Sequence, residues 1–168
     1  MLIDIVLIGR TDCEYPEEIS IINDSLFHIK KAPYSLLDVW NVGSNFTQLP
    51  NGDWLECGGS TTKGSNSEYM LFKKGPNQWT KVGTMRRVIW EPESVYIDGA
   101  LLTTGGMDLS RNAISHHEHF SFEGGVKNGK ELPIALHMHR ATIFGNHKML
   151  ITGGLDIHVS KPPDMSYT

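Results

Sequence analysis

At 168 residues the chain has the length of one ordinary domain, and 39% hydrophobic residues with 17 glycines supply enough apolar material for a packed core. A formal net charge of −4, from 15 basic and 19 acidic residues, provides no cationic field to draw in nucleic acid or an anionic membrane surface. The longest apolar stretches, such as Ile5 to Ile8 and Met149 to Ile151, fall far short of the roughly 18 residues that span a bilayer, so neither nucleic acid nor a membrane is expected as a partner.

The opening MLIDIVLIG carries an acid at Asp4 and no basic run, and reads as a strand rather than a secretory signal. Two cysteines, Cys13 and Cys57, are too few for a disulfide scaffold and are as compatible with a reducing compartment as with one bridge; the compartment stays open, with a lean to the cytoplasm. The sequons at Asn23 and Asn45 are as frequent as chance provides.

Further along, three segments end alike: NGDWLECGG (Asn51 to Gly59), DGALLTTGG (Asp98 to Gly106) and GNHKMLITGG (Gly145 to Gly154). Their glycine pairs begin at 58, 105 and 153, intervals of 47 and 48, and each follows an apolar run preceded by a turn glycine at 52, 99 or 145. This pattern predicts a β-hairpin corner repeated three times, with a degenerate fourth copy at Gly9. A second set of alternating strands is expected at EEISIIN, SEYMLFKK and HHEHFSFE, whose last apolar residues, Ile22, Phe72 and Phe122, are spaced by 50. NQWTKVGTM supplies a fourth strand type, and no amphipathic helical window interrupts the series.

Four short antiparallel strands per period predict an all-β fold built from propeller blades. The segment from Tyr69 to Gly106 resembles the kelch repeat: Tyr69, Trp79, Met85, Arg87, then an apolar run into Gly105 and Gly106. The next period keeps Met138, Arg140, Gly153 and Gly154 but has Leu132 near the Trp position, and the first keeps only its closing half. The resemblance implies a kelch-like β-propeller segment of about three four-stranded blades over residues 1–158, with 159–168 a disordered tail or the start of a further blade. Trp79 and the phenylalanines are expected between blades, and the glycines where strands crowd together. Three blades do not close a ring, so missing blades or a second copy of the chain are expected to cover the open faces.

Loops that follow the glycine pairs are the candidate binding surface, because a rigid scaffold fixes their position. Arg10, Tyr15, Lys63, Arg111 and Asn112 are the residues there able to make directional contacts with a partner. Strand alternation places His117 with His119, and His137 with His139, on common faces, an arrangement from which a Zn²⁺ or Cu²⁺ site is the alternative expectation. Glu17, Glu18, Glu91 and Glu93 sit in turn-like contexts and are expected to be solvated. Kelch-like folds include copper radical oxidases, but Cys57 lies inside a strand and RRVIWEP follows Met85 where a tyrosine would be needed, so their residues are not matched. Phosphate-cradling loops, a serine-nucleophile elbow and C-x-x-C are absent from the sequence. The expected function is therefore a protein-interaction module presenting loops on a propeller scaffold. The alternatives are a small-ligand-binding or enzymatic propeller with a metal at the His strands, or an incomplete product without independent function.

Overall fold

The computed structural model describes residues 3–7, 17–22, 26–31, 41–61, 64–76 and 78–156, the first three of these segments as strand backbone. Every regular element among them is a β-strand, so the chain is all-β over the described residues. β1 (Ile3–Leu7), β2 (Glu17–Ile22) and β3 (Leu26–Lys31) form an antiparallel three-stranded sheet in that order. β4 (Asn41–Gln48), β5 (Trp54–Thr61), the two-residue β6 (Gly64–Ser65), β7 (Glu68–Lys73) and β8 (Gln78–Thr84) form the second sheet, ordered β4-β5-β7-β8 with β6 also paired to β5. β9 (Glu93–Ile97), β10 (Ala100–Thr104), β11 (His117–Ser121) and β12 (Gly125–Asn128) make the third, and β13 (His137–Phe144) with β14 (Lys148–Leu155) a two-stranded fourth. None of the four sheets closes on itself.

Local backbone chemistry sets the hairpins. Asp98 and Gly99, with φ of 52° and 80°, are the two residues between the paired Ile97 and Ala100, the Asp-Gly turn whose twist matches the flanking strands. Each glycine pair is left-handed at both positions: φ is 71° and 87° at Gly58 and Gly59, 56° and 94° at Gly105 and Gly106, and 67° and 96° at Gly153 and Gly154. Across each hairpin the residue opposite the second glycine is left-handed too, Gly43, Glu91 and Met138 in turn.

The need for glycine arises between sheets as well as within them. The Gly59 amide donates to the Ile89 carbonyl and the Gly106 amide to the Leu136 carbonyl, both at 2.8 Å, and Ile89 and Leu136 each lead into the first strand of the next sheet. A Cβ at Gly58 would stand 2.6 Å from the Ile89 oxygen, and one at Gly105 would run into the Leu136 carbonyl and the His139 ring. Crowding at these corners therefore comes from the incoming backbone of the following sheet.

The second and third sheets share one core. Leu55, Cys57, Tyr69 and Leu71 of the second sheet pack with Leu101 and Phe120 of the third, with Leu49, Met85 and Ile89 completing the cluster. The Tyr69 and Phe120 rings stack at 4.6 Å, the largest apolar surfaces removed from water at this junction. Trp79, expected in the core, instead lies half-buried on β8 beside Phe46 and Phe72, with its indole N–H buried and unpartnered among the described residues. Phe122 falls just beyond β11 and is exposed, the strand ending at Ser121 with Phe120 turned inward.

Polar bonds between sheets repeat with the period. Ser94 donates to Asn45 at 2.5 Å across 49 residues and shares a 2.7 Å hydroxyl contact with Thr47 across 47. Glu93 accepts from Arg140 across 47 residues and from the Ala141 amide across 48, and Asp98 meets His147 across 49. The first strands β4, β9 and β13 thus lie side by side.

Two expectations about carboxylates are corrected here. Glu93 is buried in β9 and ion-paired, not solvated in a turn. Glu17 and Glu18 lie within β2, in register with Lys31 and Lys30 of β3. The tail from 159 to 168 and the corner at Gly9 lie outside the described residues.

Candidate functional site

The loop after the Gly105-Gly106 corner is the best-defined of the predicted binding loops. Met107 and Trp90 exchange backbone hydrogen bonds at 2.7 and 2.9 Å, and Met107 also bridges to Ala113. Between these anchors Asp108 closes the loop on itself: its carboxylate accepts from the Ser110 and Asn112 amides, both at 2.9 Å. Its carbonyl accepts from Arg111 at 3.0 Å, and its amide donates to the Asn112 carbonyl at the same distance. An aspartate that satisfies several local amides in this way gives a short loop a fixed shape without a strand ladder.

That shape presents two side chains. Leu109 is 66% exposed at the tip. Arg111, at φ 63°, is exposed with its guanidinium 6.0 Å over the Trp90 ring, a contact that leans it to one side of the loop, and a guanidinium so placed can donate to an acceptor on a partner. Asn112 serves the loop itself through its backbone amide and carbonyl. Arg10, Tyr15 and Lys63 lie outside the described residues. Leu109 was not legible as a contact residue from sequence, because a single leucine in a polar loop reads the same whether it turns inward or outward.

A second concavity, of about 550 Å³, opens where β4, β9 and β13 run side by side. Glu93, Arg140 and Asn45 line it, together with Glu91 and Met138, the two non-glycine left-handed residues opposite the glycine corners. The Arg140 side chain stays 79% exposed although one guanidinium nitrogen lies 2.6 Å from the carboxylate of the largely buried Glu93. Such a wall pairs a cation with carboxylates and an amide and suits a polar, hydroxylated ligand better than an apolar one. The 47-residue offset between Glu93 and Arg140 was the sequence signal for this pair, visible only when polar residues are aligned by the repeat.

The four candidate metal ligands divide into separate arrangements. His117 and His119 approach each other, Nε2 to Nε2, at 3.0 Å, and His117 Nδ1 faces the Lys130 carbonyl at 3.0 Å. Burial, with the neighbouring charge of His117, lowers the pKa of His119. His137 and His139 are buried on β13, where His137 faces Glu91 at 3.5 Å and His139 Nε2 meets the Thr104 hydroxyl at 3.1 Å. Among the described residues no group of three or more His, Cys, Asp or Glu side chains is arranged to hold a metal.

One buried polar cluster was not foreseen. Glu118, fully buried on β11, accepts from the Tyr69 hydroxyl at 2.7 Å and from the Arg86 amide at 3.1 Å, and meets His116 Nε2 at 3.1 Å. Burial alone would raise its pKa, but hydrogen bonds from His116, Tyr69 and Arg86 outweigh that penalty and hold the carboxyl below its ordinary range. Burial raises the Tyr69 phenol and pushes the Cys57 thiol up to about 12, so neither group ionises near neutrality. Sealed in the core, this cluster joins sheets rather than meeting a substrate.

No known family model matches the chain, and no curated protein matches it.

Proposed function

We propose that the chain is a segment of a kelch-like β-propeller and acts as a protein-interaction module, with the Asp108–Asn112 loop as a contact surface. The propeller reading is supported by the recurrence of the same junction at one-period intervals. The second glycine of the corner donates to the carbonyl leading into the next sheet at both Ile89 and Leu136, and the first strands β4, β9 and β13 gather on one side as innermost strands would.

The functional reading is carried by the loop's construction: an exposed leucine and an exposed arginine on a backbone locked by Asp108 and by the Met107–Trp90 pair. Rigid presentation of an apolar anchor beside a guanidinium lowers the ordering cost of binding a protein surface. The test is capture of partners from a cell extract by the purified chain and by a Leu109→Ser, Arg111→Glu variant. Loss of the captured proteins with an unchanged melting temperature supports the reading, and an identical captured set for both proteins overturns it.

A further inference from the structure

The concavity between β4, β9 and β13 is built from equivalent positions of three successive first strands. Asn45, Glu93 and Arg140, spaced by 48 and 47 residues, each stand two residues beyond the left-handed position that faces the second glycine of a corner. Strand alternation gives the three side chains a common direction, and all three residues line the concavity. The glycine corners keep one residue type through the repeat, whereas these positions hold an amide, a carboxylate and a guanidinium.

The left-handed positions converge on the same place. Gly43, at φ 71°, is the residue type such a backbone favours, yet the next two periods set Glu91 at φ 52° and Met138 at φ 53° there, and both line the concavity. Residues held in sparsely populated backbone regions cluster at ligand clamps and active sites.

Hydrogen-bonding capacity is left over on the wall. Both bonds of Arg140 within the described residues, to Glu93 Oε1 at 2.6 Å and to the His139 carbonyl at 3.3 Å, run through Nη1, so Nη2 and Nε keep their donors. Asn45 Oδ1 accepts from Ser94, which leaves the Asn45 Nδ2 donors without a partner among the described residues. Each Glu93 oxygen accepts one bond, from Arg140 or from the Ala141 amide, and retains a second lone pair.

Charge narrows what can bind. Among the described residues lining the concavity Arg140 is the one cation; Glu93 already matches it and Glu91 adds a second carboxylate, which disfavours a phosphate or carboxylate ligand. A cationic ligand would meet Arg140, and an apolar one would desolvate these groups without replacing their bonds. An uncharged hydroxyl does both jobs at one atom, accepting from an N–H donor and donating to a carboxylate.

We propose that this concavity binds a small uncharged polyol of the monosaccharide class, with one hydroxyl between Arg140 and the glutamates and a neighbouring one on the Asn45 amide. Its volume of about 550 Å³ lies within the roughly 300–1,000 Å³ of small-molecule sites.

The experiment is a chemical-shift titration of the full 168-residue chain with glucose, galactose, mannose and myo-inositol, and with glucuronate and glucosamine as charged counterparts. At least one neutral compound is expected to bind, with both charged compounds weaker by about tenfold or more, and Glu91→Gln and Arg140→Gln each expected to weaken it by about tenfold. Because Arg140→Gln also removes a partner of Glu93, the location is read separately in the parent: the Asn45 side-chain amide signals should shift and those of Asn112 should not. Absence of binding by every neutral compound, tighter binding of glucuronate or glucosamine, an affinity unchanged in Glu91→Gln, or shifts at Asn112 in place of Asn45 overturns the proposal. The Leu109→Ser, Arg111→Glu variant should bind the polyol as the parent does, so failure of this site and failure of the loop reading are separate results.

Discussion

The Tyr69 hydroxyl donates a 2.7 Å hydrogen bond to Glu118, a buried contact between β7 and β11 across 49 residues of sequence. The same phenol oxygen lies 3.2 Å from the Thr103 hydroxyl on β10, so one side chain of the second sheet is tied to two strands of the third. Because the acceptor is a buried carboxylate, the bond belongs to the stronger class, and its loss leaves a charge short of one donor.

Tyr69→Phe is accordingly expected to destabilise the fold by about 2 kcal/mol, and Glu118→Gln by a similar amount. In a double-mutant cycle the two changes should couple by about 1 kcal/mol or more, since they share one contact. Urea unfolding of the four proteins measures this directly, and strict additivity would mean that the two side chains do not interact.

Acid should weaken the fold in two stages. The Thr104 hydroxyl donates to the Glu93 carbonyl, so it accepts from His139 Nε2–H; Nδ1 is then a bare lone pair, buried and unpartnered among the described residues. Burial depresses the His139 pKa below its ordinary 6.5, so the unfolded chain takes up the proton first and stability falls as pH drops from that value. His119 adds in the same direction, burial again leading. Glu118 is held below its ordinary 4.5, so its contribution is complete above that pH and is lost as pH falls through the folded value. Urea midpoints should be level above about pH 7, decline from about 6.5 and fall more steeply below about 4.5. A flat profile from about pH 7 to 5 would rule out a buried neutral His139.

How far the fold was legible from sequence depended on range. The hairpin corners could be read because each needs only local residues: a turn at Gly52, Asp98-Gly99 or Gly145, an apolar strand and a glycine pair. The partners of those glycines could not, since the Ile89 and Leu136 carbonyls arrive from 30 residues downstream, and nothing in a hydropathy pattern marks a backbone oxygen. Glu93 was misread, and Glu118 passed over, for the same reason. A carboxylate reads as solvated until its donors, Arg140 in one case and Tyr69 with the Arg86 amide in the other, are brought to it by the stacking of sheets. Arg111 was legible as a loop cation, but its anchoring over Trp90 required the Met107–Trp90 bridge to be seen.

Cys57 offers a probe of the junction between sheets. Its thiol is fully buried, lies 3.9 Å from the Thr103 hydroxyl and is pushed up to about 12 by burial, so the reactive thiolate is scarce at neutral pH. In the native protein Cys57 should resist a thiol reagent, and it should label only at the rate at which the second and third sheets part. Peptide mapping after timed labelling separates it from Cys13, and rapid native modification of Cys57 would mean that the two sheets are not packed as described.

Glycine substitutions distinguish an occupied corner from an open one. Gly105, at φ 56°, has the Leu136 carbonyl and the His139 ring in the space a Cβ would take, whereas Gly153, at φ 67°, has nothing within 4 Å of that position among the described residues. Both replacements by alanine carry the left-handed backbone penalty, roughly 1–2 kcal/mol. Only Gly105→Ala must also displace the segment leading into β13, so its cost should exceed that of Gly153→Ala by about 2 kcal/mol, the scale of an overpacked core. Gly58→Ala, facing Ile89 and Pro92, should behave like Gly105→Ala. Thermal or urea unfolding of the three variants decides the matter: equal losses at 105 and 153 would mean that the glycines serve the hairpin alone, and that the stacking of one sheet on the next makes no demand on them.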